Sequence, residues 1–136
     1  MRRLVLPLVL ALALSGCQTQ KTELPTSANQ TLRALRAALD AVRPSSHPSR
    51  PPSIDVSPLV GLTRSQIRSS LGTPHVCNYP KPPAPNEVMG APCEHNGDWF
   101  YSFYELPRGW IGGGPELLLS FGADEVCTTA KWMMTQ

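Results

Sequence analysis

The sequence has no apolar run long enough to cross a lipid bilayer as a helix, and it has little charge of either sign. Its main apolar stretch, Leu4 to Leu14, is about half the roughly 20 residues that a spanning helix requires. Charged residues make up 16% of the chain and aromatic residues 7%. Neither set forms the basic stripe with stacking aromatics that nucleic acid would need. We therefore expect no membrane-spanning segment and no nucleic-acid partner.

The amino terminus has the pattern of a bacterial lipoprotein signal peptide. Two arginines follow Met1, the apolar stretch comes next, and Leu14-Ser15-Gly16-Cys17 closes it with small residues before a cysteine. This pattern predicts a signal peptide over residues 1–16 and a lipidated Cys17. Each buried methylene group contributes about 0.8 kcal/mol, so two or three acyl chains such as palmitate hold a protein on a membrane stably.

Charge and sorting signals indicate where the anchored chain would lie. Cleavage before Cys17 removes two arginines and no acid, so twelve basic and ten acidic residues become ten of each. Charge alone would therefore not draw the mature chain to anionic lipid. Gln18 stands where an aspartate often retains lipoproteins in the inner membrane. By that sorting rule we expect an outer-membrane anchor with the chain facing the periplasm.

The mature chain is predicted to divide into a tether, a helix, a linker and one small folded domain. Residues 17–26 are polar and aperiodic, as a tether would be. An apolar stripe runs along residues 27–43, formed by Leu32, Leu35, Leu39 and Val42. This amphipathic helix could lie on lipid headgroups, pair with a partner helix, or pack on its own domain. Residues 44–53 are proline-rich and predict an extended linker, so the domain is expected to span residues 54–136.

The clearest local element of that domain is a short helix beginning after Thr63. Thr63 and Gln66 form a capping box, Gly72 suits the left-handed position that ends a helix, and Pro74 prevents continuation. The segment that follows, between Cys77 and Cys93, contains five prolines, which exclude a helix and a central strand. We expect a stiff loop there.

Three later runs have the alternation typical of β-strands: residues 98–105, 116–121 and 126–133. Gly112-Gly113-Gly114-Pro115 lies in the first connection, and the second, from Gly122 to Glu125, is short enough for a tight turn. Consecutive strands with short links predict an antiparallel meander with the capped helix on its inner face. Trp99 and Phe103 are assigned to that inner face, and the fold class is α+β.

The cysteines that remain after lipidation bear on stability and on metal binding. Cys77 and Cys93 bracket the proline-rich loop, and in an exported protein we expect a disulfide between them, with Cys127 as the free thiol. Closing such a loop contributes about 3 kcal/mol in the chain-entropy model. His75 and Cys77 mirror Cys93 and His95, but the spacing differs from that of usual zinc sites. We therefore expect no metal and no other cofactor.

A set of short segments lies in a fixed order from Ile54 to Trp132. They are Asp55-Val56-Ser57, Gly61-Leu62-Thr63, Gln66-Ile67, Leu71-Gly72-Thr73-Pro74, Trp99-Phe100-Tyr101-Ser102-Phe103, Leu117-Leu118-Leu119-Ser120-Phe121 and Val126. In this order they resemble the SmpA/OmlA (BamE-like) family of outer-membrane lipoproteins. The resemblance implies an ααβββ domain, with helices at 55–60 and 63–71 on a three-stranded sheet. It also implies a periplasmic accessory in outer-membrane protein assembly or envelope integrity.

The sequence favours protein binding over catalysis. Its acids are scattered and its histidines lie in loop contexts, so no triad or carboxylate pair can be argued, and we expect no enzyme and no small-molecule substrate. Phe100, Tyr104 and Leu118 lie on the outer face of the sheet, where they form a partner-binding patch if exposed, the alternative being burial under the proline-rich loop. A second hypothesis is a lipid-anchored inhibitor or sensor that inserts the 77–93 loop into a periplasmic enzyme.

Overall fold

Two α-helices and a four-stranded antiparallel sheet make up the described part of the chain, an α+β arrangement. The structure is a computed structural model, and it describes residues 23–44, 48–77, 97–105 and 113–135. The predicted signal peptide, the lipidated Cys17 and the second half of the predicted disulfide, Cys93, lie outside these residues. Within the described ranges, no helix combines the length and apolar character needed to cross a membrane.

Helix α1, Thr26–Asp40, packs into the core. Its buried Leu32 and Leu35 belong to the same apolar cluster as the inner side chains of the sheet, and Thr31 Oγ1 donates a hydrogen bond to the Asp55 carbonyl at 3.2 Å. Of the alternatives for this amphipathic helix, packing on its own domain is the one observed. The predicted domain boundary at Ile54 is therefore too late, because a small sheet needs the apolar stripe of α1 to cover it.

Residues 55–60 do not form the α-helix that the family resemblance implies. Only a 3-10 helix is present, Ser57–Leu59. The Asp55 carboxylate accepts hydrogen bonds from the Ser57 backbone N–H at 3.0 Å and the Ser57 hydroxyl at 2.9 Å, and these bonds lower the pKa of Asp55. Such local bonds compete with helical pairing. Gly61, at a φ of +92°, then turns the chain toward the next helix.

Helix α2, Arg64–Leu71, confirms the short helix predicted after Thr63. Both halves of the capping box are present, because the Thr63 hydroxyl accepts from Gln66 N–H at 3.2 Å and Thr63 N–H donates to Gln66 Oε1 at 2.9 Å. Gly72 ends the helix with a φ of +82°, as expected for the residue after a helix C-terminus. Ile67 and Leu71 are buried and direct α2 onto the core.

The sheet has four strands, one more than predicted. Its order is β1 (Val76–Cys77), β2 (Trp99–Ser102), β3 (Pro115–Phe121) and β4 (Cys127–Met134), with each strand antiparallel to the next. The unpredicted strand β1 has two residues, too few for any alternation to show in the sequence. Strand β2 is shorter than the predicted 98–105.

The β3–β4 connection confirms the predicted tight turn. Gly122 N–H donates to the Val126 carbonyl at 2.9 Å, and Glu125 N–H donates to the Gly122 carbonyl at 3.0 Å. The inner faces of the strands pack against the helices, and Trp99 and Phe103 are buried there as predicted. The turn fixes the register of β4 against β3, and the pairing of Trp99 with Leu119 fixes that of β2.

Candidate functional site

The three residues predicted to form a partner-binding patch are buried. Phe100 is 2% exposed, Tyr104 3% and Leu118 8%. The expectation that they lie open to a partner is wrong. The proline-rich loop, which the alternative would place over them, lies outside the described residues. Phe100 lies between Val76 of β1 and Leu118 of β3 in the sheet, so the unpredicted strand β1 is one reason for its burial.

The same face holds a buried carboxylate that accepts hydrogen bonds from hydroxyl groups. Glu116 is 2% exposed, and its Oε1 accepts hydrogen bonds from the Tyr104 hydroxyl at 2.8 Å and the Ser102 hydroxyl at 3.4 Å. Burial raises the pKa of Tyr104, and its bond to Glu116 adds to the effect. A buried acid needs such donors because desolvation of a carboxylate is costly. Nothing in the alternation of β3 indicated that Glu116, on the outer face with Leu118, is buried.

A serine, a histidine and a glutamate come close together here, but not as a catalytic triad. His75 Nδ1 accepts a hydrogen bond from the backbone N–H of Ser102 at 2.8 Å, whereas the Ser102 hydroxyl bonds to Glu116. In a catalytic triad the imidazole accepts a hydrogen bond from the hydroxyl, and the carboxylate accepts one from the imidazole. Desolvation where the ring packs against the sheet lowers the pKa of His75. Because Nδ1 accepts the bond from Ser102, the neutral ring carries its proton on Nε2. The His75 side chain thereby connects the start of β1 to β2.

Cys77 takes part in a disulfide, which removes it from the possible zinc ligands. Cys77 is disulfide-bonded, and Cys127 is free and buried. Because Cys93 lies outside the described residues, its pairing with Cys77 stays a prediction. A bonded Cys77 has no thiolate to offer a metal. No group of three or more possible metal ligands occurs in residues 23–44, 48–77, 97–105 and 113–135.

A cleft of about 300 Å³ lies where the carboxyl ends of α1 and α2 meet the sheet. Its polar wall is the Arg36 guanidinium, which pairs with Asp40 at 2.8 Å and donates to the Leu71 carbonyl at 3.3 Å. Both ionic side chains are about half exposed, so the pair contributes little to stability. His75 and Tyr104 line the opposite wall. These contacts of Arg36 join the carboxyl end of α1 to that of α2.

A second polar cluster joins α2 to the β3–β4 turn. Arg64 is 8% exposed, pairs through Nε with Glu125, and donates from Nη2 to the Gly97 carbonyl at 2.9 Å. Its guanidinium carbon lies 3.8 Å from the centre of the Phe121 ring and 5.0 Å from that of Trp99, an arrangement that favours cation–π attraction. Arg64 Nη1 and Trp99 Nε1 are buried and have no acceptor among the described residues. Sequence reasoning missed this cluster, since its members are far apart along the chain.

Comparisons of this chain with protein-family models, with curated proteins and with solved structures found no significant match.

Proposed function

We propose that this chain is a lipid-anchored lipoprotein of the outer membrane that faces the periplasm and binds a protein partner without catalysing a reaction. The observation that carries the proposal is the start of α1 at Thr26, nine residues after Cys17. Nine residues extend over at most about 30 Å. Because α1 is part of the core, acyl chains on Cys17 would hold the whole folded domain close to the membrane surface.

The chemistry of the described side chains supports a binding role. Ser102, His75 and Glu116 make structural hydrogen bonds, and the His75 ring accepts from a backbone N–H and not from a hydroxyl. The SmpA/OmlA resemblance belongs to the proposal, together with a role in outer-membrane protein assembly or envelope integrity. Two helices on an antiparallel sheet are compatible with that resemblance, although a fold alone does not define a function.

Membrane fractionation tests the anchor. In the Cys17→Ser variant we expect the chain to leave the membrane fraction and to escape cleavage by the lipoprotein pathway, because acyl chains provide the binding energy. Gln18→Asp is the matched control, which keeps the lipid and should move the chain to the inner membrane in a density gradient. Retention of the serine variant on membranes at mature size would disprove the lipoprotein assignment.

The second candidate is the inhibitor or sensor that uses the 77–93 loop. The observation in its favour is the disulfide at Cys77. Cys77 and the preceding Val76 pair with β2 in the sheet. A covalently restrained loop loses little entropy on binding. Purified chain should then inhibit a periplasmic enzyme, and Cys77→Ser should abolish inhibition while membrane anchoring persists. If capture of a membrane partner survives this variant unchanged, the first candidate is favoured.

A further inference from the structure

Strand β4 is an edge of the sheet, and part of that edge has no neighbouring strand. In the described sheet β4 pairs with β3 along one side only. At its start the chain covers the other side itself, because Cys127 N–H donates to the Leu62 carbonyl at 2.8 Å and Gly61 N–H donates to the Cys127 carbonyl at 2.9 Å. This side of β4 is therefore already used for backbone pairing near the turn, and the pairing stops before Ala130.

A hydrogen bond just beyond the strand shows which way the remaining backbone groups face. Thr135 N–H donates to the Gly114 carbonyl at 3.1 Å, so the backbone of Thr135 is directed toward β3. Alternation along the strand then directs the N–H and C=O groups of Ala130, Trp132 and Met134 away from β3. No described residue forms a backbone hydrogen bond with these outward groups. We call the outward backbone groups of these three residues the free edge.

Side chains beside the free edge indicate what it can bind. Lys131 is exposed, is the one charged residue of β4, and forms no ion pair with any described residue. Met134 is 46% exposed, one of two large apolar side chains in the described ranges with such exposure. A strand added here would bring its own side chains beside Lys131, and opposite charges in such positions attract. The chemistry fits an extended segment that carries an acid.

A second copy of the chain fits the free edge less well. Antiparallel pairing centred on Trp132 would place the two Lys131 side chains on one face as diagonal neighbours, about 7–8 Å apart, where like charges repel.

We propose that the free edge of β4 binds an extended, acid-bearing segment of a partner protein, which joins the sheet as a fifth strand. Main-chain hydrogen bonds would supply the affinity, and the contact with Lys131 would supply the preference for an acid. This inference deepens the proposed protein-binding function and rests on it. It assigns the contact to a sheet edge, whereas the sequence had pointed to the sheet face.

Peptide binding to the full mature chain in detergent tests the edge directly. The probe is a short synthetic peptide of alternating valine and threonine with a central glutamate, and its matched control has lysine in place of glutamate. We expect the glutamate peptide to bind at least about tenfold more tightly. N-methylation of the peptide amides that face β4 should abolish binding, whereas N-methylation of the alternate amides should not. Equal effects of the two N-methylated forms, or no binding of either peptide, would overturn the proposal.

Variants of the chain test the same contact from the other side. Ala130→Pro removes an outward N–H without removing a β3–β4 hydrogen bond, and we expect at least about a tenfold loss of affinity with little change in melting temperature. Lys131→Glu leaves every backbone N–H in place, and this variant should bind the lysine peptide more tightly than the glutamate peptide. It therefore tests the contact even if the proline variant does not fold. Unchanged preference in Lys131→Glu would contradict the proposal, as would a β4-dependent dimer in sedimentation measurements.

Crosslinking on native membranes separates this inference from the function on which it rests. A photo-reactive residue at position 131 should capture an envelope protein, with the same label at the exposed Arg33 of α1 as the comparison. Capture from position 33 alone would refute the free edge and leave the binding function intact. Failure of Cys17→Ser to leave the membrane would refute the lipoprotein function without affecting peptide binding.

Discussion

Replacement of Leu35 by alanine tests whether α1 belongs to the cooperative fold. Leu35 has no exposed surface and belongs to the apolar cluster that includes the inner side of the sheet. Truncation of a buried leucine to alanine costs about 2–5 kcal/mol, because transfer energy is lost and a cavity remains. Small domains have about 5–15 kcal/mol of stability in total. Each kcal/mol shifts the melting temperature by about 4 °C or more in a domain this small, so we expect Leu35→Ala to lower it by at least about 8 °C.

The measurement is thermal unfolding followed by circular dichroism, with Arg33→Ala as the matched control on the same helix. Arg33 is exposed, so its truncation should leave the melting temperature nearly unchanged. If the two variants have the same melting temperature, α1 does not contribute to the core. The closeness of the domain to the membrane would then have no structural basis, because the nine-residue tether would lead to a detached helix.

Three further predictions concern titration, reactivity and the buried acid. Burial lowers the pKa of His75 below the value of 6.5 for an unperturbed histidine, so the unfolded state binds the proton first as pH falls. The free energy of unfolding should therefore decrease below about pH 6.5. In urea titrations, His75→Asn should make that decrease smaller. Cys127 is buried with a raised thiol pKa, so it should resist iodoacetamide in the native protein and react after unfolding; rapid native labelling would contradict its burial. Tyr104→Phe removes the 2.8 Å donor from Glu116, and chemical denaturation should show a loss of about 1–3 kcal/mol, whereas an unchanged midpoint would show that the carboxylate does not depend on it.

Local signals were the part of the sequence that predicted structure well. Thr63, Gln66 and Gly72 specify α2 by interactions within a few residues, and these hydrogen bonds are present. The turn from Gly122 to Glu125 is of the same kind. Both elements are determined by capping and turn chemistry, so they can be read without knowledge of the rest of the fold.

Long-range contacts explain what the sequence could not predict. Arg64 meets Glu125 and Gly97 across large separations in the chain, and nothing near Arg64 distinguishes it from a solvated helix residue. Strand β1 exists because Val76 and Cys77 pair with β2, not because two residues carry a strand pattern. The helix expected at 55–60 gave way to the local hydrogen bonds between Asp55 and Ser57.

Strand β2 is buried at every position, and this has a consequence for recognition. Trp99 and Tyr101 face the helices, and Phe100 on the other face is also buried. This part of the sheet is therefore covered on both sides. It resembles the buried strands of layered folds more than a half-exposed meander. A strand buried on both faces offers no face for a partner. Backbone groups at a sheet edge can still bind a partner strand, and β4 has such a stretch in the described sheet. The aromatic side chains of β2 therefore belong to the interior of the domain and form no surface for a partner.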